Sequence, residues 1–251
     1  MKNNDYLLIF FTCLLVFVSF ILLSCSLEDV IDLNDKKISR NLIAHKGSWW
    51  KNNLPPNSTT ALQEALALDI YGVEFDVCQT LDGVLVIYHI ENDKGIKISQ
   101  MKYSDMVSVT GRKIPTLEDF LSICQMSTSR IKLLLDLKNC NPTIVLELVE
   151  SYSLEHRVEY LSFNRSYCDQ IVKRGYGQQV FYLGGDYTPS EIQQMQYGGI
   201  SYSEDVLSSH LEWINEAHNL GLKVHVWTVN RLDRIDFFIK KGVAVITDIP
   251  C

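Results

Sequence analysis

The chain has 251 residues, a net charge of −7 and no cluster of Lys and Arg. Nucleic-acid binding needs a basic face to neutralise phosphates, so that class of partner is excluded. Seven cysteines occur with no C-x-x-C spacing, which implies neither a zinc site nor a disulfide framework.

The first element is an apolar run from Tyr6 to Leu23 behind Met1-Lys2-Asn3-Asn4-Asp5, an export signal or anchor rather than part of a fold. It ends in Leu22-Leu23-Ser24-Cys25, which resembles a bacterial lipobox, with Cys25 as the acylated first residue of the mature chain. The alternative is an uncleaved transmembrane helix, since about 18 apolar residues can span a bilayer. Either reading exports the rest, to the periplasm or the cell surface, attached to the membrane at its N-terminus. Residues 1–24 are thus expected to be signal peptide, 25–40 a polar, irregular tether, and 41–251 one domain.

From Asn41 onward, short apolar runs alternate with helical patterns, the signature of parallel strands joined by crossover helices. Strands are predicted at Asn41–His45, Gly72–Val77, Lys132–Lys138, Glu159–Phe163, Gln179–Leu183, Gly199–Tyr202, Lys223–Val229 and Val243–Thr247. Eight strands close a barrel, so the fold class is α/β, a single (β/α)8 TIM barrel. Helix starts are marked by Thr116-x-x-Asp119, Asn141-Pro142 and Thr188-Pro189-Ser190-Glu191, and stops by Gly175, Gly221 and Gly242. Val77 and Leu85 are too close for a parallel crossover, so an antiparallel β-hairpin turning at Asp82-Gly83 extends strand two and returns His89 to the barrel mouth.

Active sites of such barrels lie at the C-terminal ends of the strands. His45 ends strand one, Glu74 and Asp76 end strand two, His89 closes the hairpin, and Asp136 with Lys138 end strand three. Carboxylates flanked by apolar strand residues need a positive partner. Three of them without a thiolate select a hard divalent cation, Mg²⁺ or Ca²⁺. Two histidines beside such an ion supply a base and an acid for phosphodiester cleavage, and Lys46 and Lys138 are placed to hold the phosphate.

The motifs are similar in order to those of the glycerophosphodiester phosphodiesterase family over Leu42 to Pro250. They are His45-Lys46-Gly47, Pro56-Asn57-Ser58, Glu74-Phe75-Asp76-Val77 with Thr80-x-Asp82-Gly83, His89, Ile114-Pro115-Thr116-Leu117, Asp136-Leu137-Lys138, Ser162-Phe163, Val226-Trp227-Thr228-Val229-Asn230 and Ile246-Thr247-Asp248. The resemblance implies hydrolysis of small glycerophosphodiesters to glycerol 3-phosphate and an alcohol, with a neighbouring substrate hydroxyl as nucleophile and water opening the cyclic phosphate that results. By resemblance His45 and His89 are the acid/base pair, Glu74, Asp76 and Asp136 the metal ligands, and Trp227 the wall against the glycerol. The chain departs from the family at Lys46 (usually Arg), Pro56 (Glu), Ile90 (Asp) and Asp136 (Glu). Three alternatives remain: a phospholipase C/D-like enzyme acting on intact lipids, a degenerate ligand-binding barrel, and a scaffold lipoprotein. Trp49 and Trp50 beside the first loop are expected to pack within it or, if exposed, to meet a bulky head group.

Overall fold

The structure is a computed structural model that describes residues 35–89 and 97–250. Contacts divide the chain into a unit Met1–Asp32, outside the described residues, and a unit Leu33–Cys251 to which everything below belongs. The apolar run, its Cys25 and most of the tether therefore lie outside the described residues, among which no helix is long and apolar enough to cross a membrane.

The tether's last residues are not irregular: Lys36–Ser39 forms one helical turn, α1. Ile38 packs against the core and Ser39 is buried, so this turn is part of the folded unit. A single apolar residue among polar neighbours was too short a signal to show it.

After α1 the chain runs β1 (Leu42–Ala44), α2 (Thr59–Leu66), β2 (Gly72–Gln79), β3 (Leu85–Ile87), α3 (Tyr103–Thr110), α4 (Leu117–Met126) and β4 (Lys132–Leu137). It continues through α5 (Pro142–Ser151), β5 (Val158–Ser162), α6 (Arg165–Lys173), β6 (Val180–Tyr182), α7 (Pro189–Gln194) and β7 (Gly199–Ser203). The last elements are α8 (Glu204–Ser209), α9 (Glu212–Asn219), β8 (Lys223–Trp227), α10 (Leu232–Lys240) and β9 (Ala244–Thr247). Each of the eight expected barrel strands is present, within two residues at either end. All eight are parallel, and β1 pairs with both β2 and β9, which closes the barrel. β3 pairs antiparallel with β2, Val77 opposite Ile87 and Gln79 opposite Leu85.

Local chemistry sets the helix starts. Thr116 and Thr188 make reciprocal capping boxes with Asp119 and Glu191, and Asn141 caps α5 ahead of Pro142. The sequence predicts no helix between the hairpin and Thr116, yet α3 lies there. Its Met106 is fully buried with Cys78, Val86, Ile98 and Ile114 in a small cluster that seats β3, and with it the segment leading to His89.

The main core lies between strands and helices, while Ile43, Leu134, Leu161, Phe181, Leu183, Ala244 and Ile246 form a second cluster. Arg157, only 3% exposed, braces the outer layer. Its guanidinium donates to the carbonyls of Ile131, through Nε and Nη2 at 3.2 Å, and of Cys124, at 3.0 Å. Arg157→Met would leave two buried carbonyls unpaired, each costing roughly 1–3 kcal/mol. The expected loss of about 2–6 kcal/mol is read as a lower urea midpoint at unchanged slope.

Candidate functional site

At the C-terminal mouth of the barrel a cavity of about 310 Å³ is lined by His45, Lys46, Glu74, Asp76, His89, Asp136, Lys138 and Trp227, with Leu161, Phe163, Leu183, Thr228 and Ile246. Every catalytic, metal-binding and substrate-binding residue expected from the sequence therefore faces one space, polar on one side and apolar on the other.

The polar side is built by two adjacent strands. Asp76 of β2 and Asp136 of β4 are register partners, and Glu74 lies two residues below Asp76 on the same face. One oxygen from each of the three buried carboxylates falls within 4.8 Å of the others. Burial drives Glu74 up to about 7, with the charge of Asp76 adding to the effect, and Asp136 up to about 6 despite Lys138 beside it. Asp76 is held below its ordinary range: burial works against ionisation, but Lys138, Lys46 and the Asn57 amide outweigh it. Lys138 Nζ lies 2.5 Å from Asp136 Oδ2 and 3.3 Å from Asp76 Oδ1, and Lys46 Nζ is 3.9 Å from Asp76 Oδ2. Two ammoniums thus face three buried carboxylates, and Asp136 Oδ1 is buried without a protein partner. The donor set is all oxygen and one charge short of compensation, which fits a hard divalent cation among Glu74, Asp76 and Asp136.

The first loop fastens this arrangement. Lys46 turns left-handed (φ 58°) so that its N–H donates to Glu74 Oε2 at 3.0 Å. Gly47 follows at φ 89°, and a Cβ there would meet the Ala61 methyl at 2.7 Å. Asn57, also left-handed, donates from Nδ2 to Asp76 Oδ2 at 2.8 Å and accepts from the Asp76 N–H at 3.3 Å. Asn57 belongs to a motif that by itself gives it no role; its signal in the sequence is a polar residue immediately before the Ser58 helix cap.

His45 Nδ1 is 2.7 Å from Asp248 Oδ1. A carboxylate only accepts, so Nδ1 carries the proton and Nε2, 4.0 Å from Glu74 Oε2, is left to exchange one. Burial pulls the imidazole pKa down, but the Asp248 hydrogen bond and the Glu74 charge prevail and raise it above its ordinary value. Asp248 is itself gripped by Asn230, whose Nδ2 donates to Oδ2 at 2.6 Å and whose Oδ1 accepts from the Asp248 N–H at 2.9 Å. Both residues stood in recognised motifs without an assigned function; the available signal was an acidic residue ending the last strand, which barrel closure places beside the first. His89 lines the same cavity, and its charge is among those that hold Asp76 down. Asp248→Asn is expected to lower the His45 pKa, because the group that favours the imidazolium is lost. NMR titration of the imidazole at fixed ionic strength reads the shift.

On the apolar side Phe163 and Trp227 meet edge to face at 5.7 Å, and the Trp227 indole donates to the Ser201 carbonyl at 2.8 Å. Phe163, another motif residue without an assigned role, is half exposed at the rim. Trp49 packs within its loop, its indole donating to the His45 carbonyl at 3.0 Å, whereas Trp50 is 61% exposed and meets Trp49 only edge-on. Cys78, Cys124, Cys140 and Cys168 are buried free thiols, small hydrophobes rather than reactive groups.

Comparisons with known proteins agree with this geometry. Residues 45–250 match the model of the glycerophosphoryl diester phosphodiesterase family. A glycerophosphodiester phosphodiesterase of Caldanaerobacter subterraneus subsp. tengcongensis is 26% identical over 239 residues, covering 83% of this chain and 94% of that one. The crystal structure of a glycerophosphodiester phosphodiesterase from Parabacteroides distasonis is 32% identical, with a TM-score of 0.77 over 83% of this chain and 92% of that chain. A phosphodiesterase from Oleispira antarctica, solved in complex with the product sn-glycerol-3-phosphate, shares the fold at 18% identity, with a TM-score of 0.67 over 83% of this chain and 93% of that chain.

Proposed function

The chain belongs to the glycerophosphoryl diester phosphodiesterase family, and from that premise we propose that this phosphodiesterase hydrolyses glycerophosphodiesters to glycerol 3-phosphate and an alcohol. The observation that carries the reading is the meeting of three buried carboxylates, two histidines and two lysines in one cavity at the barrel mouth. The bound product in the Oleispira antarctica relative supports glycerol 3-phosphate as the released fragment.

In this reading Glu74, Asp76 and Asp136 would hold a divalent cation, Mg²⁺ or Ca²⁺, whose chemistry there would be Lewis-acid stabilisation of phosphoryl charge. Lys46 and Lys138 turn their ammoniums to the remaining phosphoryl oxygens, and Trp227 with Phe163 packs against the glycerol carbons. One histidine takes the proton of the neighbouring glycerol hydroxyl as its oxygen bonds to phosphorus, the other gives a proton to the alkoxide as its P–O bond breaks, and water then opens the resulting cyclic phosphate to glycerol 3-phosphate with the two histidines exchanging roles. Asp248 keeps the His45 imidazole oriented and its Nδ1 proton in place, so that only Nε2 takes part. Lys46 lacks the bidentate fork of the family's arginine, which lowers its grip on phosphate without removing the charge. The domain works outside the cytoplasm, tied to the membrane by a lipid on Cys25.

The test is release of glycerol 3-phosphate from glycerophosphocholine, glycerophosphoethanolamine and glycerophosphoinositol by the detergent-solubilised chain, with Mg²⁺, Ca²⁺ or EDTA. Metal-dependent release from any of the three supports the reading. Turnover confined to intact phospholipids, or none at all, overturns it. Labelling with a radioactive fatty acid, lost in Cys25→Ala, checks the anchor.

A further inference from the structure

Below the site, the strands carry a polar cluster that the proposed reaction does not use. Glu159 in β5 and His225 in β8 are 2% and 1% exposed. Glu159 Oε1 accepts from the Tyr71 hydroxyl at 2.8 Å and from Lys223 Nζ at 2.9 Å, so the charge is compensated at that oxygen. The other oxygen, Oε2, has no protein donor and stands 3.6 Å from His225 Nε2. Both His225 ring nitrogens and Ser201 Oγ are likewise buried without a protein partner. Ser201 of β7 and His225 of β8 are register partners, which puts their side chains on the same face, and the imidazole is stacked on Phe181 at 4.2 Å.

A buried polar atom left unpaired costs a noticeable share of the small net stability of a domain, so a carboxylate oxygen, an imidazole and a hydroxyl left without protein partners on neighbouring strands call for one from outside the chain. Burial keeps His225 neutral, its pKa pushed down to about 4, and a neutral imidazole offers one donor and one acceptor. With a carboxylate oxygen that only accepts and a hydroxyl that does both, the set is mixed in donors and acceptors. A second cation does not suit it, because Lys223 already neutralises the one carboxylate. A molecule with two donors and two acceptors does.

We propose that Glu159 Oε2, the His225 imidazole and Ser201 Oγ form the binding site of an ordered internal water within the barrel. The water donates to Glu159 Oε2 and exchanges its remaining hydrogen bonds with one His225 ring nitrogen, Nε2 being the one beside that oxygen, and with the Ser201 hydroxyl. Since the Ser201 carbonyl also receives the Trp227 indole N–H, the hydrated cluster braces the β7–β8 pair that carries the aromatic wall.

Two measurements on the full chain test this, neither depending on the reaction. A crystal structure fine enough to order internal waters is expected to show one within hydrogen-bond distance of Glu159 Oε2 and of His225 or Ser201. A direct Glu159–His225 hydrogen bond with no water between them overturns the proposal. Ser201→Ala gives a test of opposite signs. If the hydroxyl binds the water, its loss lowers Tm by about 2–4 °C, the usual response to one lost hydrogen bond in a domain of this size. If the hydroxyl has no partner, removing it leaves Tm unchanged or raises it, and the proposal falls.

Discussion

His45→Ala is expected to lower kcat/KM on the preferred glycerophosphodiester by about 10²–10⁴-fold, the usual contribution of a positioned acid or base. His45 Nε2 has a defined protonation state because Nδ1 is committed to Asp248 at 2.7 Å. His89→Ala, in the same cavity, is expected to cost a similar factor. The double substitution should cost less than the product of the two, because groups that act on one transition state are not additive. Asp248→Asn should cost less than His45→Ala, since it disturbs the orientation and charge of the imidazole and leaves the ring present. A double mutant as slow as the product of the singles, or an Asp248→Asn enzyme slower than His45→Ala, would refute the assignment of a joint acid/base pair with Asp248 as its positioning residue.

The second large effect concerns the cation. EDTA is expected to abolish turnover by roughly 10³-fold or more, corresponding to the several kcal/mol of charge stabilisation that such an ion supplies, at about tenfold per 1.36 kcal/mol. Glu74→Gln should weaken metal binding roughly 10²-fold, read by calorimetry, at or beyond the upper end of what even supporting residues contribute. The same substitution has a stability signature of opposite sign. Burial lifts Glu74 from 4.5 to about 7, so without metal the folded state binds more protons than the unfolded chain between these values. Stability in EDTA therefore falls as pH rises from about 4.5 through about 7, and Asp136, raised to about 6, adds in the same direction. Glu74→Gln removes one of the two contributions, so its Tm in EDTA should decline less over that range and exceed that of the parent at pH 8. Saturating metal should restore the parent above the variant, because an ion that binds only the folded state stabilises it. Parallel pH profiles for the two proteins in EDTA would mean that Glu74 is not the strained carboxylate.

Much of this was legible in the order of residues. Strand positions followed from short apolar runs, because a strand buried on both faces has no room for polar residues except where chemistry needs them. That rule made Glu74, Asp76 and Asp136 conspicuous, and the capping residues at Thr116, Asn141 and Thr188 marked helix starts because their signal is local. Strand parity alone put Glu74 and Asp76 on one face. What depended on distant segments stayed hidden. His45 and Asp248 are 203 positions apart and meet only because β1 and β9 close the barrel. Asn57 reaches Asp76 only because the first loop turns left-handed four times, at Lys46, Gly47, Asn53 and Asn57, which no hydrophobic period encodes. The turn at Lys36–Ser39 and helix α3 were missed for a related reason: one or two apolar residues become a signal only when the surface that they cover is known. Sequence by itself thus determined the elements, the fold class and the kinds of group available for chemistry, because those depend on neighbours along the chain. Tertiary structure alone decided which carboxylate is compensated, which histidine nitrogen is left to act and which polar atoms are buried unpaired, because charge and burial depend on neighbours in space.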